Sequence, residues 1–259
     1  MKPFVLALVC ALRLCALDLS PVGAPTGGAC SVIDQGYYVI CYRADWRIPQ
    51  WVGEHLTPDQ FRVPQVKRSG GFRLDSAIPK ADQAGASDYR GSGYDIGHQA
   101  PAGDFAFSPE AMRATFVFSN AAPQTPQLNR GPWRDLEVAV RALAASEGEV
   151  WVFTGPSVGS STHRLRDHVL IPQAFWKIIL LLRADGTHAV WGYDLPNVAA
   201  LPGYARFVYA LGDIEDISGL RFFSALMLSQ RDRETAPNLP ALNPLPADAA
   251  QAETIHKRK

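Results

Sequence analysis

The sequence predicts an α+β domain, a mostly antiparallel central sheet flanked by helices. Three observations carry that prediction. Short runs rich in aromatic and β-branched residues are bounded by turn residues. One segment shows a long helical period. Strands and helices are interleaved without the regular βαβ rhythm of a parallel sheet.

Taken in order, YYVICY (Tyr37 to Tyr42) is the first strand, and ADWRIPQWVGEHL supplies a turn and a second strand around Trp51 and Val52. From Thr57 to Gly93 the chain is polar, turn-rich and aperiodic, and loops of that length in compact domains tend to be functional. ATFVFSN (Ala114 to Asn120) predicts a short strand ending in a polar residue. NRGPWRDLEVAVRALAAS (Asn129 to Ser146) predicts the clearest helix. Asn129 serves as its N-cap, Pro132 falls in the first turn where a missing N–H costs nothing, and Leu136, Val140, Leu143 and Ala144 form the core-facing stripe. EVWVFTGP (Glu149 to Pro156) is a buried strand. FWKIILLLRADGTHAVWGYDLPN gives two strands joined at Ala184-Asp185-Gly186, a hairpin signal. EDISGLRFFSAL (Glu215 to Leu226) reads as a short helix and a hydrophobic closing segment. The domain so outlined spans residues 18–240, and the polar, Pro/Ala-rich tail 241–259 is expected to be disordered.

A chain of 259 residues suits one large domain or two small ones. With 25 basic and 25 acidic residues its formal charge is zero, so overall charge gives no pull toward nucleic acid or an anionic membrane, and a polyanion site must be a local patch. MKPFVLALVCALRLCALDLSP has the pattern of a secretory signal peptide over residues 1–17, which predicts a secreted or periplasmic protein; a buried N-terminal helix is the other reading. No later stretch reaches membrane-spanning length, since FWKIILLL is only eight residues. Cys10 and Cys15 fall in the signal, leaving Cys30 and Cys41 as an even pair. They can form a disulfide in an oxidising compartment, or Cys41 can be a buried free thiol in its apolar strand; both readings stand.

The chemistry-bearing residues are few. GSGYDIGHQAPAGDF places His98 after a Gly-rich turn, and an imidazole can take a proton from water near pH 7 as Lys or Asp cannot. Composition does not favour it over His55, His163 or His168 among six histidines. On the helix, Asn129, Trp133, Glu137 and Arg141 are spaced four apart and share a stripe. An amide oxygen with a carboxylate nearby suits Mg²⁺, which takes oxygen ligands and keeps several waters, although a capped amphipathic helix with a Glu–Arg pair explains the same spacing.

The wording of three segments goes further. YDIGHQAPAGD (Tyr94 to Asp104), FSNAAPQTPQLNRGPWRDLE (Phe118 to Glu137) and VFTGP (Val152 to Pro156) closely resemble the DNA/RNA non-specific endonuclease family, the ββα-metal nucleases, and the likeness runs from about Tyr37 to Phe223. The resemblance implies a ββα-metal active-site motif, with His98 as general base and Asn129 as the sole protein ligand of Mg²⁺, for which Mn²⁺ can substitute. It implies that Glu137 positions metal-bound water, that Asn120 stands near the base and that Arg141 lies near the phosphate. Asp95 matches the motif's Asp as a scaffold group. DNA and RNA are the implied substrates, cut without sequence preference to 5′-phosphate and 3′-hydroxyl ends. A second copy of the chain and an inhibitor protein are the protein partners to look for. One departure stands out: the family usually reads Asp-Arg-Gly-His, and here Ile96 replaces that arginine, a loss that Arg68 or Arg73 in the long loop could make good. Two other readings follow. Ile96 could mark a catalytically impaired member that binds nucleic acid or protein, against which intact His98, Asn129 and Glu137 argue, or the chain could be an exported hydrolase using His98 and a carboxylate without metal.

Overall fold

The structure, a computed structural model, describes residues 17–246. The expected signal segment, apart from Leu17, and the tail beyond residue 246 lie outside the described residues. Seven antiparallel strands form the main sheet. In chain order its first three are β1 (Ser31–Asp34), β2 (Tyr38–Arg43) and β3 (Ile48–Leu56). The long loop that follows holds short helices α1 (Pro58–Arg62) and α2 (Ala86–Tyr89), and leads into strand β4 (Asp95–His98). Then come α3 (Pro109–Ala114), β5 (Ala121–Gln124), α4 (Pro126–Asn129) and the long α5 (Pro132–Glu147). The rest is β6 (Glu149–Ser157), the small pair β7 (Arg164–Leu165) and β8 (Val169–Leu170), β9 (Ala174–Leu182), β10 (His188–Pro196), β11 (Val208–Tyr209), α6 (Leu211–Ser218) and α7 (Gln230–Glu234). The sheet order is β1-β2-β3-β6-β9-β10-β11, and β4 with β5 makes a separate pair.

The central strands are apolar on both faces, because successive side chains point to opposite sides. Val150, Val152, Ile179 and Leu181 pack with Leu136, Val140, Leu143 and Ala144 of α5. Their neighbours Trp151, Phe153, Ile178 and Leu180 pack on the other face with Leu211 and Ile214 of α6 and with Phe222 and Phe223. The sheet is thus sandwiched between α5 and α6. Removing one such side chain, as in Leu180→Ala, costs about 2–5 kcal/mol. Cys30 and Cys41 are joined in a disulfide that ties the segment before β1 to β2, with Cα atoms 5.3 Å apart. No described helix is long and apolar enough to cross a membrane.

Three sequence expectations are corrected. Ala114 to Asn120 is not a strand. It leaves α3, touches Arg73 through a single parallel bridge at Val117, and turns through a 3-10 element at Phe118–Asn120 before pairing begins at Ala121. Asn129 does not cap α5. Gly131 does, with Pro132 first inside the helix, while the Asn129 N–H closes α4 on the Thr125 carbonyl. The helix expected from Glu215 starts at Leu211, four residues earlier, and ends at Gly219, whose φ of +69° is the left-handed conformation that a C-terminal stop favours. The chain also packs beyond residue 240, with Leu242 against the α5-side core.

Candidate active site

β4 and β5 pair antiparallel, His98 opposite Ala121 and Gly97 opposite Ala122, and the chain then passes into α4 and α5. This is a ββα unit. Gly97 has no room for a side chain, because the Gln124 amide lies where its Cβ would be. Asn197 braces the corner after β5, accepting from the Thr125 N–H at 2.8 Å and donating to the Pro123 and Pro172 carbonyls at 2.9 and 3.0 Å.

His98 ends β4 and is 7% exposed. Its ring lies 4.5 Å from that of Phe72 and 4.9 Å from that of Phe116, edge-on to the latter, and its Nε2 is buried without a hydrogen-bond partner. Burial holds the imidazole well below its ordinary pKa of 6.5, and the Arg68 charge adds to the effect. His98 is therefore neutral, with a ring nitrogen uncommitted.

Asn120 stands near His98, where its side chain is held by the backbone. Fully buried, it donates through Nδ2 to the Ala100 and Thr115 carbonyls at 2.9 and 3.0 Å and accepts from the Ala100 N–H at 2.9 Å. Its side chain is committed to the backbone just beyond His98, so Asn120 is a positioning residue.

Asn129 ends α4 and is half-buried. Its Nδ2 donates to Asp95 at 2.9 Å, which fixes the amide and turns Oδ1 the other way. The same carboxylate accepts from Arg130 Nε and Nη2 at 2.7 and 2.6 Å. Asp95, Ile96, Asn129 and Arg130 line a pocket of about 450 Å³ with Tyr94 and Arg90. Ile96 and His98, two residues apart, share one face of β4, roughly 7 Å from each other along the strand.

Glu137 is half-buried on α5, and burial raises its carboxyl to about 7 against the opposing pull of Lys177 and Arg141. Arg141 is 5% exposed and donates to Asp104 at 2.6 Å within a buried ion pair. Of the residues spaced four apart, Trp133 and Arg141 are buried, while Asn129 lines the pocket and Glu137 is half-buried. Glu54 is also buried in this cluster; desolvation first, then the Asp104 charge, push its carboxyl well up. Lys177 donates to Thr154 Oγ1 at 2.6 Å and lies 5.0 Å from the Trp133 ring.

The two loop arginines separate cleanly. Arg73 Nη1 donates to the Arg113 and Phe116 carbonyls at 2.6 and 3.3 Å, which occupies it with holding the segment after α3. Arg68 is exposed, its guanidinium 5.1 Å from the Phe116 ring and within electrostatic reach of both His98 and Glu137. Sequence reasoning missed Phe72 and Phe116 around His98, and Asp104, Glu54 and Lys177 around Arg141. Lys177 left a readable signal, a lone charge inside the apolar run FWKIILLL.

Residues 16–228 match the model of the DNA/RNA non-specific endonuclease family. Human mitochondrial endonuclease G is 36% identical over 219 residues, 79% of this chain and 73% of the relative. Nuclease C1 of Cunninghamella echinulata var. echinulata is 37% identical over 218 residues, 78% and 86% of the two chains. A chain from the crystal structure of the EndoG/EndoGI complex superposes with a TM-score of 0.72 at 30% identity, covering 81% of this chain and 91% of that one. With a ββα unit whose first strand ends in a buried histidine, and with likeness over most of its length, the chain is a nuclease that belongs to the DNA/RNA non-specific endonuclease family.

Proposed function

We propose that this nuclease hydrolyses phosphodiester bonds of DNA and RNA to 5′-phosphate and 3′-hydroxyl ends, with His98 as general base and Asn129 as the protein ligand of one Mg²⁺, for which Mn²⁺ can substitute. The observation that carries the reading is the buried, neutral imidazole with an unpartnered Nε2, on the face of β4 whose Ile96 shares a pocket with Asn129.

The residues fit a hydrated hard cation. Among the described residues no three His, Cys, Asp or Glu side chains cluster as a metal cage. Mg²⁺ needs none, because it keeps several waters and accepts a single amide oxygen. Asp95 leaves Asn129 only Oδ1 to offer. Bound there, the ion supplies Lewis-acid charge for the phosphate and the leaving 3′ oxygen.

The chain's own groups do the rest. His98 takes the proton of the attacking water, and its depressed pKa keeps it ready to do so. Glu137 would position a water of that cation from α5. Arg68 is the exposed guanidinium beside His98 and contacts substrate phosphate, whereas Arg73 and Arg141 act through the backbone and through Asp104. Contacts of this kind go to phosphate and sugar, so cleavage is indifferent to base sequence. Incubating plasmid DNA and ribosomal RNA with the protein and Mg²⁺ or Mn²⁺ tests the assignment; both are digested, and EDTA stops both.

The same reading takes the mature protein as secreted or periplasmic, supported by the signal-like first 17 residues and the Cys30–Cys41 bridge. Mass spectrometry of the exported chain would find a new N-terminus near Leu17, and an intact Met1 would overturn export. A homodimer and an inhibitor protein complete the proposal. The solved relative EndoG is inhibited in its complex with EndoGI, and size-exclusion chromatography reads the dimer.

A further inference from the structure

Asp95, Ile96, Asn129 and Arg130 line one pocket, and Ile96 stands where the family motif carries its arginine. From β4 itself the pocket receives an acid and an aliphatic side chain, neither of which attracts a polyanion. Arg130 changes this. Its Nε and Nη2 grip the Asp95 carboxylate at 2.7 and 2.6 Å, a two-bond fork in which Asp95 is 17% exposed and Arg130 69% exposed. The fork uses the Nε and Nη2 edge of the guanidinium, and Nη1 takes no part in it. A guanidinium held this way needs little further ordering to bind an oxygen anion. Arg90 supplies a second cation to the pocket lining.

We propose that Arg130, clamped by Asp95, supplies to a substrate phosphate in this pocket the guanidinium that Ile96 does not. Arg130 is then the substrate-binding cation beside Asn129, carried by the α4–α5 turn instead of by β4. The proposal rests on the nuclease reading above and adds to it which residue of this chain meets the phosphate.

The test compares wild type, Arg130→Gln and the double variant Ile96→Arg/Arg130→Gln. Affinity for a fluorescent single-stranded oligonucleotide is measured in EDTA at low salt, and kcat/KM and the Mg²⁺ concentration for half-maximal rate are measured on the same preparations. Arg130→Gln is expected to weaken oligonucleotide binding about tenfold, the scale of one charge-assisted hydrogen-bond partner, with a flatter salt dependence. Restoring an arginine at position 96 recovers most of that loss. Wild-type binding by Arg130→Gln overturns the proposal. So does unchanged oligonucleotide affinity with a raised Mg²⁺ requirement, because Arg130 would then act only through Asp95 and Asn129. If wild type bound the oligonucleotide but cut neither DNA nor RNA, the hydrolytic reading would fail while the binding comparison still decided the role of Arg130.

Discussion

Asp95 and Asn129 are joined by a 2.9 Å hydrogen bond in which the amide Nδ2 donates and the carboxylate accepts. The bond crosses from β4 to the end of α4 and determines which end of the amide can meet a cation. Removing the carboxylate lets the amide rotate. Asp95→Ala is therefore expected to raise the Mg²⁺ concentration for half-maximal activity about 10–100-fold, the usual scale for losing an orienting partner of a metal ligand. A metal titration of the rate checks this, and an unchanged requirement would remove Asp95 from the role.

The burial of His98 sets a pH signature. With His98 as the proposed base, activity would require the neutral imidazole, and both burial and Arg68 resist its protonation. The acid limb of kcat/KM is expected below pH 6.5, the ordinary value for the group, and Arg68→Ala moves it upward. Stability has a matching sign. The unfolded chain binds this proton more readily, so the contribution of His98 is complete above pH 6.5 and is lost as pH falls toward the depressed native value.

Glu137 has the opposite sign. Its carboxyl is raised to about 7 by burial, so its stabilising contribution is present below the ordinary value of 4.5 and is lost as pH rises through about 7. Glu137→Gln is expected to melt no lower than wild type at pH 8 without metal, while its turnover falls at least tenfold. Thermal denaturation and initial rates on one preparation report both; a lower melting point with full turnover would reverse the assignment.

Asn120 behaves as a structural clamp. Asn120→Ala strips partners from the Ala100 N–H and from the Ala100 and Thr115 carbonyls in a fully buried setting. A loss of about 3 kcal/mol in urea unfolding is expected. A variant as stable as wild type but inactive would instead put Asn120 in contact with substrate.

Much of the fold was legible in the sequence, because its central strands are long, apolar and closed by strong turn signals. The β9–β10 hairpin around Ala184-Asp185-Gly186 is the clearest case. What misled was local likeness without tertiary context. ATFVFSN has strand composition, but the segment is held by Arg73, which reaches the Phe116 carbonyl from 43 residues away, and by its own Asn120, which bonds the Thr115 and Ala100 carbonyls. Asn129 looks like an N-cap because it precedes Pro132, yet Gly131 breaks the helix between them. Spacing put Arg141 on an active-site stripe, while its buried partner Asp104, 37 residues away, could not be read from periodicity. His98 itself was no more conspicuous than its fellow histidines until the surrounding words of the motif singled it out.

His98 and Asn129 are proposed to serve one phosphodiester through one bound cation. Plasmid nicking by wild type, His98→Ala and Asn129→Ala, each in Mg²⁺ and in EDTA, tests it most directly. The account predicts cleavage by wild type in Mg²⁺ alone, with both variants slower by about 10²–10⁴-fold and still folded by circular dichroism. Full cleavage by wild type in EDTA, or wild-type rates from either folded variant, would contradict it.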